Sequence, residues 1–466
     1  MNETAVKPVK TKKKDLTRGP VFKSLLLFTM PILLSHLLQQ LYSTADTVMV
    51  GQFVSKEALA AVGSTSPVTL LILNLFSGFA VGANVVCAQY FGAKDEARLR
   101  RAMETSLISA AAAGIVLQII GISCAGIFLG WMGCPDDVIG LAALYMRVRF
   151  ISIPCSLLYN CGAGILRAHG DTKRPMRILM ISGLINVVFN FLFVAVLPFG
   201  VAGVAAATAV SQTFSCVVTM IILFRPHGEF RLKLREMRFS GTIMKKVAVV
   251  GIPAGLNSIT FNFANTLLQR KINTFGSSIM AGNSAANSLN AYIYISFTVF
   301  AIAAASFVGQ NYGAKEYRRI DRGVWASLIY GVVFSLFLGL LINRFPEFFV
   351  GLFSKDPAMV DFALAKLRIV GILYFLMAPG EILTFALRGM GESLRPFLIN
   401  SFCICGVRIL WIYLIFPLVP TPEFLYWCYA VSWVFSDVAM AICFFIIRKR
   451  KYKDPLPEPE PAEQSS

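Results

Sequence analysis

Histidine is scarce in this chain, three in 466 residues at positions 36, 169 and 227. No H-E-x-x-H pair can form from them, and neither G-x-S-x-G nor G-x-x-x-x-G-K-[ST] occurs. Zinc-protease, serine-hydrolase and P-loop ATPase chemistry therefore lack their usual sequence marks, and no catalytic set is expected. Charge is scarce too: 15% of residues are Asp, Glu, Lys or Arg, where soluble domains carry about 25%. Cysteine is nearly missing from the polar loops. The ten cysteines lie almost entirely within apolar runs, and Cys403-x-Cys405 would point its thiols to different sides of a helix, a poor metal pair. They read as small buried hydrophobes.

What remains is apolar. Hydrophobic residues make up 56% of the chain and the mean hydropathy is +0.67, more apolar surface than a cytosolic fold can hide. Runs such as Leu107–Trp131, Ile178–Leu197 and Val324–Ile342 approach or exceed the ~20 residues that cross ~30 Å of hydrocarbon. Twelve spans are expected near 23–50, 59–88, 102–130, 139–165, 176–198, 201–224, 246–270, 282–309, 323–344, 361–386, 397–417 and 424–447. The first follows Lys12-Lys13-Lys14 without a small-residue cleavage site, so it reads as a retained helix.

The net charge of +18 is a topology signal and not a nucleic-acid footprint. Of the 43 Lys and Arg, 33 fall in every other segment between the predicted spans, and so on one side: 1–23, 92–101, 167–177, 225–246, 313–322, 388–395 and 448–453. Basic residues stay cytoplasmic, which places both termini inside.

The chain also repeats itself. Gln89-Tyr-Phe-Gly-Ala-Lys-Asp recurs as Gln310-Asn-Tyr-Gly-Ala-Lys-Glu, and Leu166-Arg-Ala-His-Gly-Asp-Thr-Lys-Arg-Pro as Leu387-Arg-Gly-Met-Gly-Glu-Ser-Leu-Arg-Pro, both at an offset of 221. The predicted fold is an all-α membrane protein, twelve transmembrane helices in two six-helix bundles related by a pseudo-two-fold axis along the membrane normal, a transporter architecture. Residues 1–22 form a basic N-terminal segment, 23–224 and 246–447 the bundles, 225–245 a cytoplasmic linker, and 448–466 a basic, then Pro/Glu-rich tail. Gly92 and Gly313 are expected to permit tight loops, Pro175 and Pro396 to start spans, Pro31 and Pro253 to bend them, and Arg167, Arg174, Arg388 and Arg395 to anchor at the interface.

Ionisable groups within spans are functional candidates, because a charge at the bilayer centre costs ~2.5–3.5 kcal/mol on insertion scales. Asp46 ends a polar face of the first span with Gln39, Gln40, Tyr42 and Ser43; Glu381 and Asp437 lie in the tenth and twelfth. Asp46 has only Leu267 or Leu268 as its repeat counterpart. Asn186 and Asn190, one turn apart in the fifth span, match Val407 and Trp411. Unmatched polar groups suggest tasks confined to one half. Glu381 reads as a salt-bridge partner for Arg408 unless it has a functional task, and Asp437 as mainly structural. His36 and His169 read as ordinary hydrogen-bonded histidines.

The stretch Asp46-Thr-Val-Met-Val-Gly-Gln, the two Gln-x-x-Gly-Ala-Lys blocks, Tyr159-Asn160 ahead of Leu166-Arg167, and Val201-Ala-Gly-Val-Ala-Ala-Ala-Thr208 together resemble the multidrug and toxic compound extrusion (MATE) family over roughly residues 20–450. The resemblance implies a secondary antiporter that expels cationic or amphiphilic compounds in exchange for Na⁺ or H⁺, with no other cofactor. It implies a cation site at Asp46, Asn186, Asn190 and Thr208, able to take Na⁺, and a substrate cavity including Gln40, Tyr42, Asn160 and Glu381. Asn190 departs from the family pattern, which has a carboxylate there, and 255–269 lacks the acid of the family's other cation site. The expected partners are a small amphiphilic or cationic substrate and the lipid bilayer, with no nucleic acid and no obligate protein partner. The expected location is a bacterial plasma membrane, multi-pass, both termini cytoplasmic. A flippase for a lipid-linked oligosaccharide or other amphiphile is the alternative; it would need cavity cations, for which Arg270, Lys271 and Arg408 are the sequence candidates.

Overall fold

The structure is a computed structural model that describes residues 15–53, 65, 77–131, 136–197, 199–225, 230, 232–351 and 357–453; side chains at 43–53, 131, 136–138, 277, 278, 281 and 357–359 lie outside the description. Twelve longer helices dominate the described residues, beside short ones at Leu234–Glu236 and Pro346–Gly351. The first bundle holds α1 Val21–Phe53, α2 at 77–92, α3 Glu96–Trp131, α4 made of Ile139–Ile151 and Ile153–Ala168, α5 Lys173–Val196 and α6 Gly200–Phe224. The second holds α7 Gly241–Asn273, α8 Ser277–Gly313, α9 Tyr317–Arg344, α10 Val360–Gly389, α11 Leu394–Leu418 and α12 Pro422–Lys453. The 36 residues of α3 make about 54 Å at 1.5 Å per residue, well over a ~30 Å core, so the helices outrun the predicted spans. The linker is correspondingly shorter, since α7 starts at Gly241.

These sequences are apolar on the outside because their solvent is lipid. Trp325, Ile329, Val333, Phe337 and Leu340 of α9 are all more than 45% exposed, a stripe at helical spacing that would be untenable in water. Inside, small residues let helices close up. A Cβ on Gly78 or Gly82 would overlap the α7 backbone at Gly255 or Val247, so α2 packs nearly backbone to backbone against the other bundle.

The repeat is visible as symmetric contact. Gln89 Nε2 donates to Gly389 O (2.9 Å), and Gln310 Nε2 donates to Ala168 O (2.8 Å). A Cβ on Gly92 would collide with Gln310 O, and one on Gly313 with Gln89 O. Both glycines therefore serve the close approach of the bundles, while the left-handed turns fall on the next lysines but one, Lys94 (φ 56°) and Lys315 (φ 60°). These contacts gather at the end of the molecule that carries the basic loops, called here the basic end. Leu16 N donates to Gln310 Oε1 (3.0 Å), Arg319 Nη2 to Leu16 O (3.1 Å), and Asn84 Nδ2 to Ser306 Oγ (3.0 Å). The linker is latched to the same end: Arg238 N and Ser240 N donate to Glu104 Oε2 and Thr105 Oγ1 of α3.

Pro31 and Pro253 lie inside α1 and α7, whose helical runs continue through them. The 43° bend lies in α4 between Ile151 and Ile153, where Pro154 cannot continue the preceding helix. In α10, Pro379 follows a 3₁₀ turn at Tyr374–Leu376, and the N–H of Gly380 is taken by Asp437 Oδ1 at 2.8 Å. Asp437 thus stitches α12 to the break in α10. Pro175 and Pro396 do occupy first turns, of α5 and α11.

Candidate functional site

In the first bundle, α5 and α6 run antiparallel and are locked by Ser182 Oγ donating to Ser211 O (2.8 Å). One turn farther along α5 comes Asn186, and one turn back along α6 comes Thr208, so the register sets them level. Asn190 Nδ2 donates to Asn186 Oδ1 (3.2 Å); Asn186, Asn190 and Thr208 are all buried. The Thr208 hydroxyl gives its proton to Val204 O (3.1 Å), which leaves its oxygen lone pairs to accept or ligate. The neighbour on the other side is α1: Tyr42 lies across Gly183, where any Cβ would overlap its ring, and its hydroxyl donates to Met180 O (3.3 Å). Asp46 stands one turn past Tyr42 on α1, level by register with the 186–190 stretch of α5. Its side chain lies outside the described residues.

Of the expected cavity residues, Gln40 is half-buried on α1, and Asn160 turns its amide back to Ser156 O in its own helix (2.9 Å). Glu381 lines a cavity. That cavity is about 280 Å³ and lies in the second bundle between α7, α8, α10 and α11, with Asn257, Asn262, Tyr294, Arg388 and Asn400 also in its wall. It sits directly after the 3₁₀ turn of α10.

Glu381 makes no ion pair with Arg408. The Arg408 guanidinium, fully buried, donates to Asn265 Oδ1 (2.8 Å) and Ser432 Oγ (3.2 Å) and stacks on Tyr429 at 4.5 Å. Arg388 is no interfacial anchor either: it is 3% exposed, with its guanidinium 4.6 Å from the Phe385 ring centre and in the same cavity wall as Glu381.

A second cavity, about 290 Å³, shares Phe261 and Asn262 with the first. Asn265, Thr266, Gln269, Asn287, Asn290, Lys366, Tyr374 and Tyr429 complete its polar wall. Lys366 is 1% exposed. Its ammonium donates to Asn283 Oδ1 (2.7 Å) and to Asn287 Oδ1 and faces the rings of Tyr426 and Tyr429. A charge at membrane depth costs roughly 2.5–3.5 kcal/mol on insertion scales, and two neutral amides offset that only in part. Lys366 falls inside the predicted tenth span, so the rule that flags intramembrane charges covers it. The positive-inside count, made over loops alone, passes over it.

Two bundles around a pseudo-two-fold axis, joined at one end, with polar cavities at membrane depth, define a two-lobed membrane transporter. The MatE family model matches the chain twice, at residues 31–192 and 253–414, so each lobe carries one copy and the repeat is the family's own. The chain belongs to the MatE family. It is similar to the "Probable multidrug resistance protein YoeA" of Bacillus subtilis (strain 168), at 29% identity over 87% of this chain and 89% of that one. Among solved structures it superposes on an "Outward-facing conformation of a multidrug resistance MATE family transporter of the MOP superfamily" with a TM-score of 0.88 at 23% identity, covering 95% of this chain and 99% of that one. It superposes equally well, with a TM-score of 0.87 at 24% identity and the same coverage, on a "MOP superfamily transporter from Pyrococcus furiosus Vc1 (DSM3638)" described as having a binding pocket of reversed polarity.

Proposed function

We propose that this chain is a sodium-coupled antiporter of a bacterial plasma membrane that exports amphiphilic compounds by alternating access. The observation that carries the reading is an asymmetry of closure among the described residues: their cross-lobe hydrogen bonds and glycine contacts gather at the basic end, while the cavities lie deeper in the bundle. With the basic end cytoplasmic, as the distribution of Lys and Arg supports, this is a form closed to the cytoplasm. Rocking of the lobes about the glycine contacts gives the opposite form. A ligand drives the exchange only through a difference in its affinity for the two forms.

The ion site of this reading is Asp46 with Asn186, Asn190 and Thr208. One carboxylate with amide and hydroxyl oxygens suits a hard cation bound through oxygen. With Asn190 in place of an acid, a second proton acceptor is missing, which favours Na⁺ over a proton. The substrate cavity of this reading centres on Glu381, with Gln40, Tyr42 and Asn160 lining the route between the lobes.

The test is efflux of a fluorescent amphiphile from proteoliposomes holding the full chain. A sodium gradient without a pH gradient should drive it. A pH gradient without sodium should not; the reverse result would replace Na⁺ by H⁺ in the mechanism.

A further inference from the structure

The second bundle holds more buried positive charge than an exporter of cations would need. Lys366, Arg388 and Arg408 are each at most 3% exposed. Glu381 is the one carboxylate lining either cavity, and Asp437 is engaged by the Gly380 N–H. The Lys366 cavity has no acid in its wall at all: Asn, Gln, Thr, Tyr, Phe and Val complete it. Arg408 stands directly behind, bonded to Asn265 and stacked on Tyr429 and Phe261, all three of which are wall residues.

Buried polar atoms in and around this cavity lack partners. Arg408 Nη2 and, in the neighbouring cavity, Arg388 Nε and Nη2 are buried without a hydrogen-bond acceptor. Buried N–H groups left so are rare, because each forfeits its hydration. Asn290 Oδ1, in the wall of the Lys366 cavity and 3% exposed, is likewise without a donor. The repeat adds a control: at the offset of 221 the counterparts of Lys366 and Arg408 are Tyr145 and Val187. The scaffold is built without these two cations in the first bundle, so the fold does not require them; Arg388, by contrast, is matched by Arg167.

We infer that the Lys366 cavity is a binding site for the anionic head, a carboxylate or phosphate, of an amphiphilic substrate. The Lys366 ammonium keeps one N–H beyond the two given to Asn283 and Asn287, and the surrounding amides and hydroxyls supply neutral donors. Arg408 adds positive potential from behind the wall. Asn290 Oδ1 favours a head that also carries a hydroxyl. The inference deepens the export reading by naming the substrate's charge, and it rests on that reading only for the direction of transport. Binding at equilibrium is independent of ion coupling, so the two fail separately.

The experiment measures energy transfer from protein tryptophan to a dansyl probe bound to the full chain in phosphatidylcholine nanodiscs. Trp433 is the local donor, its ring 4.9 Å from Tyr374 and 5.7 Å from Tyr429 in the cavity wall. The probes are 11-(dansylamino)undecanoate and the same chain ended by trimethylammonium. The carboxylate should bind at least tenfold more tightly than the ammonium. Lys366→Gln should remove that preference and Lys366→Arg should keep it. Asn287→Asp, nearly isosteric and placed to pair with Lys366 internally, should weaken carboxylate binding about tenfold without touching the lysine. Replacing part of the lipid by phosphatidylglycerol assigns the source: competition with the probe in wild type but not in Lys366→Gln marks a lipid head as the occupant, and its absence marks a free solute. Equal binding of the two probes by wild type, or unchanged carboxylate binding in both Lys366→Gln and Asn287→Asp, would overturn the site.

Discussion

The two lobes share a scaffold and differ in charge. Where the first lobe places Asn160, Tyr145 and Val187, the second places Glu381, Lys366 and Arg408; where the first places Asn186 and Asn190, the second places Val407 and Trp411. The frame that holds them is matched to the level of single hydrogen bonds, with Gln89 on Gly389 answered by Gln310 on Ala168. What was kept after duplication is the contact that lets lobes meet and part. What diverged is the polarity at membrane depth, and on the proposed reading that divergence is a division of labour in which an oxygen-rich first lobe, with Asp46 as its one acid, serves the ion and a second lobe rich in buried cations serves the substrate.

The largest expected effect breaks the first lobe's side of this division. Asp46→Asn keeps the shape but removes the charge that offsets Na⁺, leaving Asn186, Asn190 and Thr208 to offer only dipoles. Sodium-driven efflux should fall at least 100-fold at equal membrane abundance, since burying a neutral amide is cheaper than burying a carboxylate. Near-normal efflux would return Asp46 to a helix-end role.

Next come the matched glycines. Gly92→Ala and Gly313→Ala each push a methyl into a backbone carbonyl of the other lobe, and overpacking of this kind costs roughly 1–3 kcal/mol. The form closed at the basic end should lose population about tenfold in both variants, read as increased labelling of a single cysteine placed at the lobe seam. A large effect from one glycine and none from the other would break the symmetry argued here.

The smallest effect is expected at Glu381. Glu381→Gln should change which amphiphiles are exported, by several-fold in relative rates, and leave the sodium dependence intact. Loss of sodium dependence for every substrate would move the coupling site into the second lobe.

Much of this was legible from sequence for physical reasons that local pattern records. Lipid demands long apolar runs, loops keep their lysines on one side, and contacts repeated by symmetry conserve the residues that make them. The Gln-x-x-Gly-Ala-Lys blocks announced the repeat, although the glycines serve contact between lobes, which no single copy of the motif reveals. The 3₁₀ turn in α10 has a local signal in Pro379, three residues after it. Lys366 and Arg388 were legible as charges but not as cavity residues. Whether a basic residue near a span end snorkels or turns inward depends on what α7 and α8 present to it, and that is decided between helices far apart in the chain. In the first lobe the register sets Asp46 level with Asn186 and Asn190, as the proposed ion site requires.

Direct binding of ²²Na⁺ to the full chain in nanodiscs tests the division of labour most plainly, with wild type, Asp46→Asn and Lys366→Gln measured side by side. The account predicts saturable binding in wild type and in Lys366→Gln, and none in Asp46→Asn. Retained binding in Asp46→Asn together with loss in Lys366→Gln would place the ion in the second lobe and contradict it.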